Sequence, residues 1–537
     1  MNLLLFPIHF LGFQINLLLI LVFFLWMRRF VYQTTKTLHI FQLEGYRNFR
    51  FLKWAIKHPL ALFDLTSLAA LPFLLFLAIF FEDAFLIFWS LFGIFLLTRC
   101  PKSKVKTPLI FTARAKRLLG LSLAIVIFLM VSFVLYYLSI CIFVCGERRM
   151  PLQIPNSYLI TFVVTQIFLQ LASLNLVLAN ILIWPTEKLI NLRYLIMAKK
   201  KLKRLKPKVI GITGSYGKTS TKHILAHILS QKYKVLATPE SYNTLMGICK
   251  VINNNLLPEH QIFIVEMGAY KRGDIKELCD LVKPEIGILT GIGLQHLERF
   301  GSVENIRKTK FELIESLPKD GIAILNSGCK YCQKFQPKVK TIRYGGQEKG
   351  IRVSAEGLSF SVNGITFQTS LLGSHNLQNI LSAIACAREL KMTLEEIQRA
   401  VFSLPQIPHR LQLIKTPTSI IIDDAYNSNP VGAKEALFLL SQFSGRKILV
   451  TPGMIELGEK EYEENRLFGE EAAKTCDVVI LVGKKRTKAI ADGLLSAGFS
   501  KDNLFVVKSL DEARDKLSQI RGDVILFEND LPDNYDE

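Results

Sequence analysis

The segment Val209-Ile-Gly-Ile-Thr-Gly-Ser-Tyr-Gly-Lys-Thr-Ser220 decides the fold of this chain. Its first five residues form the short apolar run of a buried strand, and the glycines that follow predict a tight turn. The stretch Thr219–Ser230 then has the character of a helix. Backbone N–H groups in a strand–turn–helix unit cradle phosphate oxygens, and the helix N-terminus adds positive potential. The segment therefore predicts a nucleotide-binding α/β domain.

Within this segment we expect Lys218 to lie against the β- and γ-phosphates and Thr219 to offer its hydroxyl to Mg²⁺. The strict phosphate-loop pattern requires a glycine at position 212, where this chain has Ile, and glycine occupies position 214 instead. The ATP-binding set predicted here is Gly214, Ser215, Gly217, Lys218, Thr219 and Ser220.

The chain after Pro207 predicts two α/β domains, residues 208–408 for ATP binding and residues 409–537 with a Rossmann-like pattern. Short β-branched runs alternate there with helical stretches, which is typical of a parallel sheet covered by helices. Residues 352–371 alternate around Asn363-Gly364 and predict an antiparallel hairpin. The predicted strands are Val209–Thr213, Gln261–Val265, Ile286–Leu289, Ile420–Asp423, Lys447–Val450, Val478–Val482, Leu504–Val507 and Val524–Phe527.

Residues 1–184 predict an α-helical transmembrane domain of about five spans, joined by a basic linker at residues 185–207. Crossing about 30 Å of hydrocarbon takes about 20 apolar residues in a helix. The apolar runs are Leu3–Trp26, Leu60–Phe81, Ala84–Thr98, Leu118–Val144 and Tyr158–Trp184, of which the third is short. We expect the second and third runs to form a hairpin that turns at Glu82-Asp83.

The charges between these runs predict the orientation. The segments after the first and third runs are strongly basic, and the positive-inside rule places such segments in the cytoplasm. We therefore expect a multi-pass protein of the cell membrane, with its N-terminus outside and both α/β domains in the cytoplasm. The runs hold almost no ionisable residues, and Asp64 lies near the cytoplasmic end of the second run. Transporters usually carry charges within the membrane along their path, so the scarcity of charge favours an anchor or a lipid-facing role.

The formal net charge of +21 fits nucleic acid, an anionic membrane surface or a phosphorylated substrate. Much of it lies beside the apolar runs and between Lys188 and Lys208. The basic segment predicts either contact with anionic lipid headgroups or a lipid-linked phosphate, or a solvated linker that obeys the positive-inside rule, which is the favoured interpretation. Both explain much of the charge without nucleic acid. Cys329 and Cys332 have CxxC spacing, but a zinc site would need two more ligands. Incidental thiols are the favoured interpretation.

Further motifs follow in chain order, and together they resemble those of a known enzyme family. They are Ser241-Tyr-Asn243, Glu266-Met-Gly-Ala-Tyr-Lys-Arg-Gly-Asp-Ile275, His296-Leu-Glu-Arg-Phe-Gly-Ser302, Lys310-Phe-Glu312, Gly373-Ser-His-Asn-Leu-Gln-Asn379, Pro408-His-Arg410, Asp423-Asp-Ala-Tyr-Asn-Ser-Asn-Pro430 and Gly453-Met-Ile-Glu-Leu-Gly458. Together with the phosphate loop they resemble the Mur ligases, and their order and spacing resemble the MurF branch, which adds D-Ala-D-Ala to UDP-MurNAc-tripeptide. The resemblance covers roughly residues 208–528.

The resemblance implies a ligase that uses ATP and Mg²⁺ to activate a carboxylate as an acyl phosphate, which an amine then attacks. It implies catalytic roles for Lys218, Lys310 and His296, and a metal site of Thr219, Glu266, His296 and Lys310. Lys310 corresponds to a lysine that is carbamylated in several members of the family. The alternatives are a solvent-facing acid at Glu266 and an ordinary surface lysine at Lys310.

The resemblance also assigns binding residues. Asn376 or Asn379 would contact adenine, unless the two asparagines only cap a helix, and Arg410 and Asp424 would reach ATP across a cleft. The substrate set predicted here is Ser241, Asn243, Tyr426, Asn427 and Asn429.

Two departures from the family pattern bear on the substrates. Apolar runs occupy the place of the family's soluble UDP-sugar domain, which leaves a lipid-linked acceptor as an alternative to a small soluble precursor. The family's Lys-Gly-Ser-Arg after the last strand is replaced by Glu528-Asn-Asp530. Alternative functions are a related amide ligase of the poly-γ-glutamate, folate or pseudopeptidoglycan type, an ATP-driven transporter, and a non-catalytic membrane scaffold.

Overall fold

The computed structural model describes residues 7–10, 13–80, 88–89, 91–92, 94–95, 109–146, 157–239, 242–426, 428–520 and 522–530. The chain divides into a helical unit, which ends at Ile190, and a second unit, which runs from Asn191 to Leu531.

The helical unit departs from the predicted runs in two places. Its elements are β1 (Pro7–Phe10), β2 (Phe13–Asn16), α1 (Leu17–Leu43), α2 (Asn48–Lys57), a 3₁₀ turn (Pro59–Leu62), α3 (Leu65–Phe80), α4 (Ala113–Gly146), α5 (Ser157–Gln170) and α6 (Ala172–Leu205). The first run is thus a β-hairpin followed by a helix, and that helix continues through the basic residues predicted to form a loop. The turn predicted at Glu82-Asp83 lies outside the described residues.

Among the described residues, one helical stretch, Ala113–Phe133, has the length and composition to cross a membrane. A second candidate is α5 with α6, two helices that meet at a 62° bend. The coarser prediction of a helical N-terminal region is therefore confirmed, whereas the count of about five spans stays a prediction.

The interior of the helical unit is polar in places. Arg29 and Asp64 form a buried bidentate ion pair, with 2.5 Å between Nε and Oδ2 and 2.9 Å between Nη2 and Oδ1. The backbone N–H of Asp64 donates to Gln170 Oε1 at 2.9 Å. The partner of Asp64 is thus an arginine assigned to a loop by its sequence.

The predicted linker at residues 185–207 is helical for most of its length, because α6 runs through it to Leu205. Lysine and arginine are good helix formers, so a basic composition does not predict an unstructured linker. Ala198 on this helix is buried in the second unit, and Lys201 Nζ donates to the carbonyl oxygen of Asn253 at 2.8 Å.

The middle domain has a six-stranded parallel sheet in the order β4-β5-β3-β6-β7-β8. Its elements are β3 (Lys208–Thr213), α7 (Lys218–Ser230), β4 (Val235–Ala237), α8 (Leu245–Asn255), β5 (Ile262–Glu266), α9 (Asp274–Val282), β6 (Ile286–Leu289), α10 (Leu297–Phe300), α11 (Val303–Glu315), β7 (Ile322–Asn326), α12 (Lys330–Gln333) and β8 (Lys340–Tyr344). The predicted strands within it are confirmed. Strand β3, which leads into the phosphate loop, lies between β5 and β6.

The remainder of the middle domain flanks that sheet. It consists of β9 (Lys349–Ser354), β10 (Gly357–Val362), β11 (Ile365–Thr369), α13 (His375–Glu389) and α14 (Leu394–Phe402). The three strands form a separate antiparallel sheet, which confirms the predicted turn at Asn363-Gly364. Phe360 and Phe367 pair across it and pack into one core with the middle-domain helices.

The C-terminal domain has a second six-stranded sheet, in the order β12-β13-β17-β14-β15-β16. Its elements are β12 (Gln412–Lys415), β13 (Ile420–Asp424), α15 (Pro430–Ser441), β14 (Lys447–Thr451), α16 (Glu461–Thr475), β15 (Val478–Val482), α17 (Lys488–Ser496), β16 (Leu504–Val507), α18 (Leu510–Gln519) and β17 (Val524–Glu528). Only β12 is antiparallel. The five predicted strands are confirmed, and the ends of β13, β17 and β14 lie side by side at one edge of the sheet.

Candidate active site

The phosphate loop joins β3 to α7 and needs glycine at two positions. A Cβ at Gly214 would lie 2.0 Å from Thr290 Oγ1, and one at Gly217 would lie 2.5 Å from Asn379 Oδ1. Both residues also have positive φ, 157° at Gly214 and 76° at Gly217, which other residues adopt only with strain. Side chains at these positions would push the loop away from its neighbours, so the glycines fix the cradle.

Among the residues that the structure describes, no acidic group lies within hydrogen-bonding distance of Lys218. Its ammonium donates to the carbonyl oxygens of Gly214, at 2.7 Å, and Ser215, at 3.2 Å. Burial lowers the pKa of Lys218 to about 8, an effect that nearby Glu266 opposes and Arg410 reinforces. The ammonium is therefore held beside the loop by weak acceptors, where it can turn to a phosphate.

Glu266 ends β5 directly beside this loop. Its Oε1 accepts hydrogen bonds from the Thr219 hydroxyl and the Asn243 amide, each at 3.1 Å. Its Oε2 lies 3.1 Å from Lys222 Nζ, and both of these side chains are buried. Burial raises the pKa of Glu266, but Lys222 and Lys218 more than offset this effect, so the pKa is lowered. The buried position leaves no room for the alternative of a solvent-facing loop acid.

His296 and Lys310 lie close to the same loop. The positive charge of Lys218 acts on both groups, and the negative charge of Glu266 acts on Lys310. Lys310 is 3% exposed, and the described residues provide it with no hydrogen bond or ion pair. Burial, and then the charge of Lys218, hold its pKa well below the ordinary value. Lys310 is thus a buried amine rather than an ordinary surface lysine.

Asn376 and Asn379 are buried on α13 and bond to each other, with 3.0 Å from Asn379 Nδ2 to Asn376 Oδ1. Asn379 Oδ1 also accepts from the Thr221 hydroxyl at 3.2 Å, which joins α13 to α7. Asn376 Nδ2 donates to the carbonyl oxygen of Leu372. The pair therefore supports the phosphate loop from behind, and neither side chain caps the helix by a hydrogen bond.

Arg410 and Asp424 bring charge from the C-terminal domain. Arg410 acts electrostatically on Lys218 and Asp424, and its guanidinium lies 4.3 Å from the ring centroid of Tyr426. Burial raises the pKa of Asp424 to about 6, although Arg410 opposes the rise. The guanidinium therefore faces the phosphate loop across the boundary between the two domains.

The other predicted site residues are placed as follows. The Ser215 hydroxyl bonds to the backbone of Gly293, and Ser220 is buried in the first turn of α7. Asn429 caps α15, with its Oδ1 accepting from the N–H groups of Val431 and Gly432. Ser241 and Asn427 lie outside the described residues. Ser215 and Asn429 thus hold the backbone in shape.

These residues fit a nucleotide and a magnesium ion. Arg410 Nε and His375 Nδ1 are buried without a hydrogen-bond partner among the described residues, and the charge of Arg410 acts on both His375 and Lys218. The part of the chain described here contains no group of three or more His, Cys, Asp or Glu side chains that could hold a metal. Mg²⁺ usually binds through one or two protein oxygens together with phosphates and water, a demand that Thr219 and Glu266 can meet.

Comparison with known proteins gives the family. The model of the Mur ligase middle domain matches residues 212–387, and that of the Mur ligase glutamate ligase domain matches residues 409–528. The UDP-N-acetylmuramoyl-tripeptide--D-alanyl-D-alanine ligase of Bacillus subtilis is 33% identical over 355 residues, which cover 62% of this chain and 75% of that protein.

The chain belongs to the Mur ligase family.

Other relatives agree with this assignment. The ligase of the same description from Escherichia coli is 31% identical over 52% of this chain and 65% of its own length. The crystal structure of MurF from Acinetobacter baumannii has a TM-score of 0.58 at 25% identity and covers 63% of this chain and 77% of its own. MurF from Thermotoga maritima in complex with ADP has a TM-score of 0.56 at 29% identity, with 63% and 80% covered. The family models match no residue before 212.

Three charged residues received no role from the sequence. Lys222 lies four residues after Lys218, hence on the same face of α7, and this spacing was the available signal. Glu456 lies inside a Mur ligase motif and contacts His296 and Arg299 from the other domain. Glu528 departs from the family pattern, which gives it no role.

Glu528 is a buried carboxyl group at the end of β17. Its oxygens accept hydrogen bonds from the hydroxyls of Ser428 and Thr451, the latter at 2.8 Å. Burial raises its pKa to about 7; the Ser428 hydrogen bond opposes the rise, and the neighbouring Asp424 adds to it. The parallel register pairs Asp424 with Glu528, so two acids adjoin at this edge.

Replacing Lys222 by methionine should destabilise the middle domain by about 3–5 kcal/mol, because Glu266 would keep a buried charge without its counter-ion. Hydrogen–deuterium exchange of peptides covering β5 measures the effect. The exposed Lys276→Met on α9 is the matched control and should leave exchange unchanged. If the double variant Lys222→Met/Glu266→Gln exchanges as fast as the single variant, lost packing rather than the unpaired charge is the cause.

Glu528 should make stability depend on pH. Because its folded pKa is raised from 4.5 to about 7, its contribution is fully present below pH 4.5 and is lost as the pH rises through 7. The loss is about 3 kcal/mol, at about 1.4 kcal/mol per pH unit. Glu528→Gln should therefore match the native chain at pH 4 and be more stable at pH 8.

The measurement is hydrogen–deuterium exchange of peptides covering β17, which gives the free energy of unfolding of the native chain and of Glu528→Gln at both pH values. Tryptophan fluorescence would not serve, because all four tryptophans precede residue 185. An equal difference between variant and native chain at the two pH values would contradict the assignment of a raised pKa.

Proposed function

We propose that this chain is a membrane-anchored, ATP-dependent ligase of cell-wall peptide synthesis. It would join D-Ala-D-Ala to a muramoyl-tripeptide carboxylate and release ADP and phosphate. The family assignment and the MurF relatives support this reaction. The observation that carries it is the convergence of Lys218, Thr219 and Glu266 at one glycine loop.

The first step is the transfer of a phosphoryl group. A carboxylate oxygen of the acceptor bonds to the γ-phosphorus as the bond to ADP breaks, and negative charge spreads over the phosphoryl oxygens. Lys218 would turn from its contacts with Gly214 and Ser215 to these oxygens, and Arg410 would approach from the C-terminal domain. Magnesium bound by Thr219 and Glu266 would supply further positive charge.

In the second step the incoming amine attacks the acyl carbon, phosphate departs and the amine loses a proton. Acyl phosphates react readily with water, so the site has to exclude it during this step. Contacts between the middle and C-terminal domains, such as those of Glu456, would assemble the site and commit the substrates.

Carbamylation of Lys310 is part of the proposal. Only a neutral amine can attack carbon dioxide, and burial together with the charge of Lys218 favours the neutral form of Lys310. A carbamate would replace the buried amine by an anionic oxygen ligand. The 3% exposure of this side chain and its lack of an ion pair among the described residues support the modification.

The helical unit would be embedded in lipid. Its large apolar side chains are widely exposed, including Phe128 at 68% and Leu135 at 59% on α4, whereas Arg29 and Asp64 are buried. Water-soluble monomers rarely expose large contiguous apolar patches, and a bilayer requires polar groups to be satisfied internally. We infer several spans, an N-terminus outside, and both ligase domains in the cytoplasm.

Two acceptors remain open under this proposal. The relatives named above act, by their names, on a UDP-linked muramoyl-tripeptide, whereas a helical unit occupies the first third of this chain. A lipid-linked precursor would be delivered at the membrane surface, beside the basic residues at the end of α6. This alternative keeps the ligase chemistry and changes only the molecule that carries the carboxylate.

Release of ADP by the detergent-purified chain tests the reaction. Turnover should require both D-Ala-D-Ala and UDP-MurNAc-tripeptide, and Lys218→Ala should lower it by about 1,000-fold or more because the phosphoryl charge loses its main cation. The exposed Lys319→Ala is the control. Turnover only with a lipid-linked tripeptide would show that the alternative acceptor is the substrate. If neither the UDP-linked nor the lipid-linked tripeptide supported turnover, the proposed ligase reaction would be refuted.

Alkaline carbonate extraction of membranes tests the anchor. The full chain should stay in the membrane pellet, and protease should cut the ligase domains in inverted vesicles but spare them in right-side-out vesicles. Release by high salt alone would mean that the basic residues merely bind the surface, and protection in inverted vesicles would reverse the orientation.

A further inference from the structure

Glu456 joins the two ligase domains at the candidate metal site. It lies between β14 and α16 in the C-terminal domain, and its Oε2 contacts His296 Nδ1 in the middle domain. Its Oε1 accepts from Arg299 Nη2. The backbone takes part too, since the N–H of Glu298 donates to the carbonyl oxygen of Glu456 at 3.2 Å.

The loop that carries Glu456 is fixed by its own domain. Asn465 on α16 accepts from the N–H of Met454 at 2.9 Å and donates back to its carbonyl at 3.0 Å, while Asn529 donates to the carbonyl of Gly453 at 2.7 Å. Glu456 itself has a φ of 63°, a conformation that non-glycine residues adopt at a cost. The carboxylate is thus presented to the middle domain from a rigid loop.

The middle-domain side is equally ordered. The ring of Tyr270 packs edge-on against His296, with centroids 5.3 Å apart, and the guanidinium of Arg299 lies 4.5 Å from the centroid of the same ring. Glu456 contacts Nδ1 of the imidazole, so Nε2 is the nitrogen left to face a cation. Arg299 holds the second oxygen of Glu456 and so fixes the rotation of the carboxylate.

A histidine that binds a metal through one nitrogen usually donates the other N–H to a carboxylate, which fixes the tautomer and the ring orientation. Here that carboxylate belongs to the opposite domain. We propose that Glu456 is a positioning residue that orients His296 toward the metal only when the C-terminal domain is closed onto the middle domain. The inference rests on the proposed function, since it takes His296 as a metal ligand.

The consequence is a coupling between closure and metal binding. Separation of the two domains would remove the carboxylate from Nδ1 and free the imidazole to rotate. Closure and occupation of the metal site would therefore support each other, because each stabilises the same arrangement of His296. The phosphoryl transfer would then take place only in the closed site, where water is excluded.

Binding of Mn²⁺, followed by electron paramagnetic resonance with a non-hydrolysable ATP analogue and the full chain in detergent, tests the inference. Glu456→Gln should raise the Mn²⁺ concentration for half-saturation by about tenfold or more, the effect typical of such supporting carboxylates. Affinity for the analogue at saturating Mn²⁺ should change far less. Glu456→Asp keeps the charge and should recover part of the loss.

Glu459→Gln is the matched control, because it removes the same charge from an exposed position three residues away. Hydrogen exchange of peptides covering β15 checks that each variant is folded. Exchange of residues 294–301 should increase in Glu456→Gln, and not in Glu459→Gln, if Glu456 holds the His296 segment.

The outcomes separate the two proposals. Equal Mn²⁺ half-saturation in the native chain and in Glu456→Gln would overturn the role of Glu456 and leave the ligase reaction intact. A native chain that binds no Mn²⁺ with the analogue would overturn the ligase function and this inference with it. If Glu456→Gln and Glu459→Gln lost the same amount of Mn²⁺ affinity, the change in net charge would explain the effect, and the inference would be overturned as well.

Discussion

The ligase half of this chain depends on one buried carboxylate, that of Glu266. It is the point where the phosphate-loop helix, the end of β5 and the Asn243 segment meet, through Lys222, Thr219 and Asn243. A buried ion pair is a weak source of stability, because the desolvation of both charges offsets most of their attraction. Such a pair does, however, fix the orientation of the Glu266 carboxylate. Lys222 holds Oε2, so that Oε1 stays beside the Thr219 hydroxyl.

The same constraint explains the demand for small residues around it. The loop can approach Thr290 and Asn379 closely only because Gly214 and Gly217 lack side chains. Asn379 in turn is held by Asn376 and by Thr221, so hydrogen bonds also support the loop from behind. By contrast, Lys218 and Arg410 have no acidic hydrogen-bond partner within the described part of the chain. A rigidly supported loop beside cations that lack an acidic partner is the arrangement that binds polyphosphate.

Much of the fold could be predicted from the sequence because its signals are local. Strands β3, β6 and β15 are short β-branched runs. The dipeptide Asn363-Gly364 is a sequence that favours a tight hairpin turn. Strands β4, β7, β8 and β12 were not predicted. Strand β4 has only three residues, and β8 reads Lys-Thr-Ile-Arg-Tyr, with little apolar character. Strand β7 reads Ile-Ala-Ile-Leu-Asn, so there a local apolar signal was present and was missed. The apolar start of the chain predicted a helix where a hairpin precedes α1, because composition alone does not separate the two.

The sequence motifs predicted the central residues of the site but not the partners that these residues contact. Lys218, Thr219 and Glu266 follow strands that end at one edge, so their convergence follows from the topology of a parallel sheet. The partners that set their chemistry lie far away in the sequence. Glu456 is 160 residues from His296, and Asp64 is 35 from Arg29. Such pairs are created by packing, which a single sequence does not reveal.

The edge of the C-terminal sheet limits how the amine substrate can be recognised. Parallel register places Asp424 and Glu528 side by side, and two buried carboxylates repel each other. The structure resolves this by placing Arg410 near Asp424 and by giving Glu528 two hydroxyl donors and a raised pKa. Position 528 therefore offers a neutral or anionic group to a ligand, never a cation. A cation that recognises the carboxylate of D-Ala-D-Ala would have to come from another position.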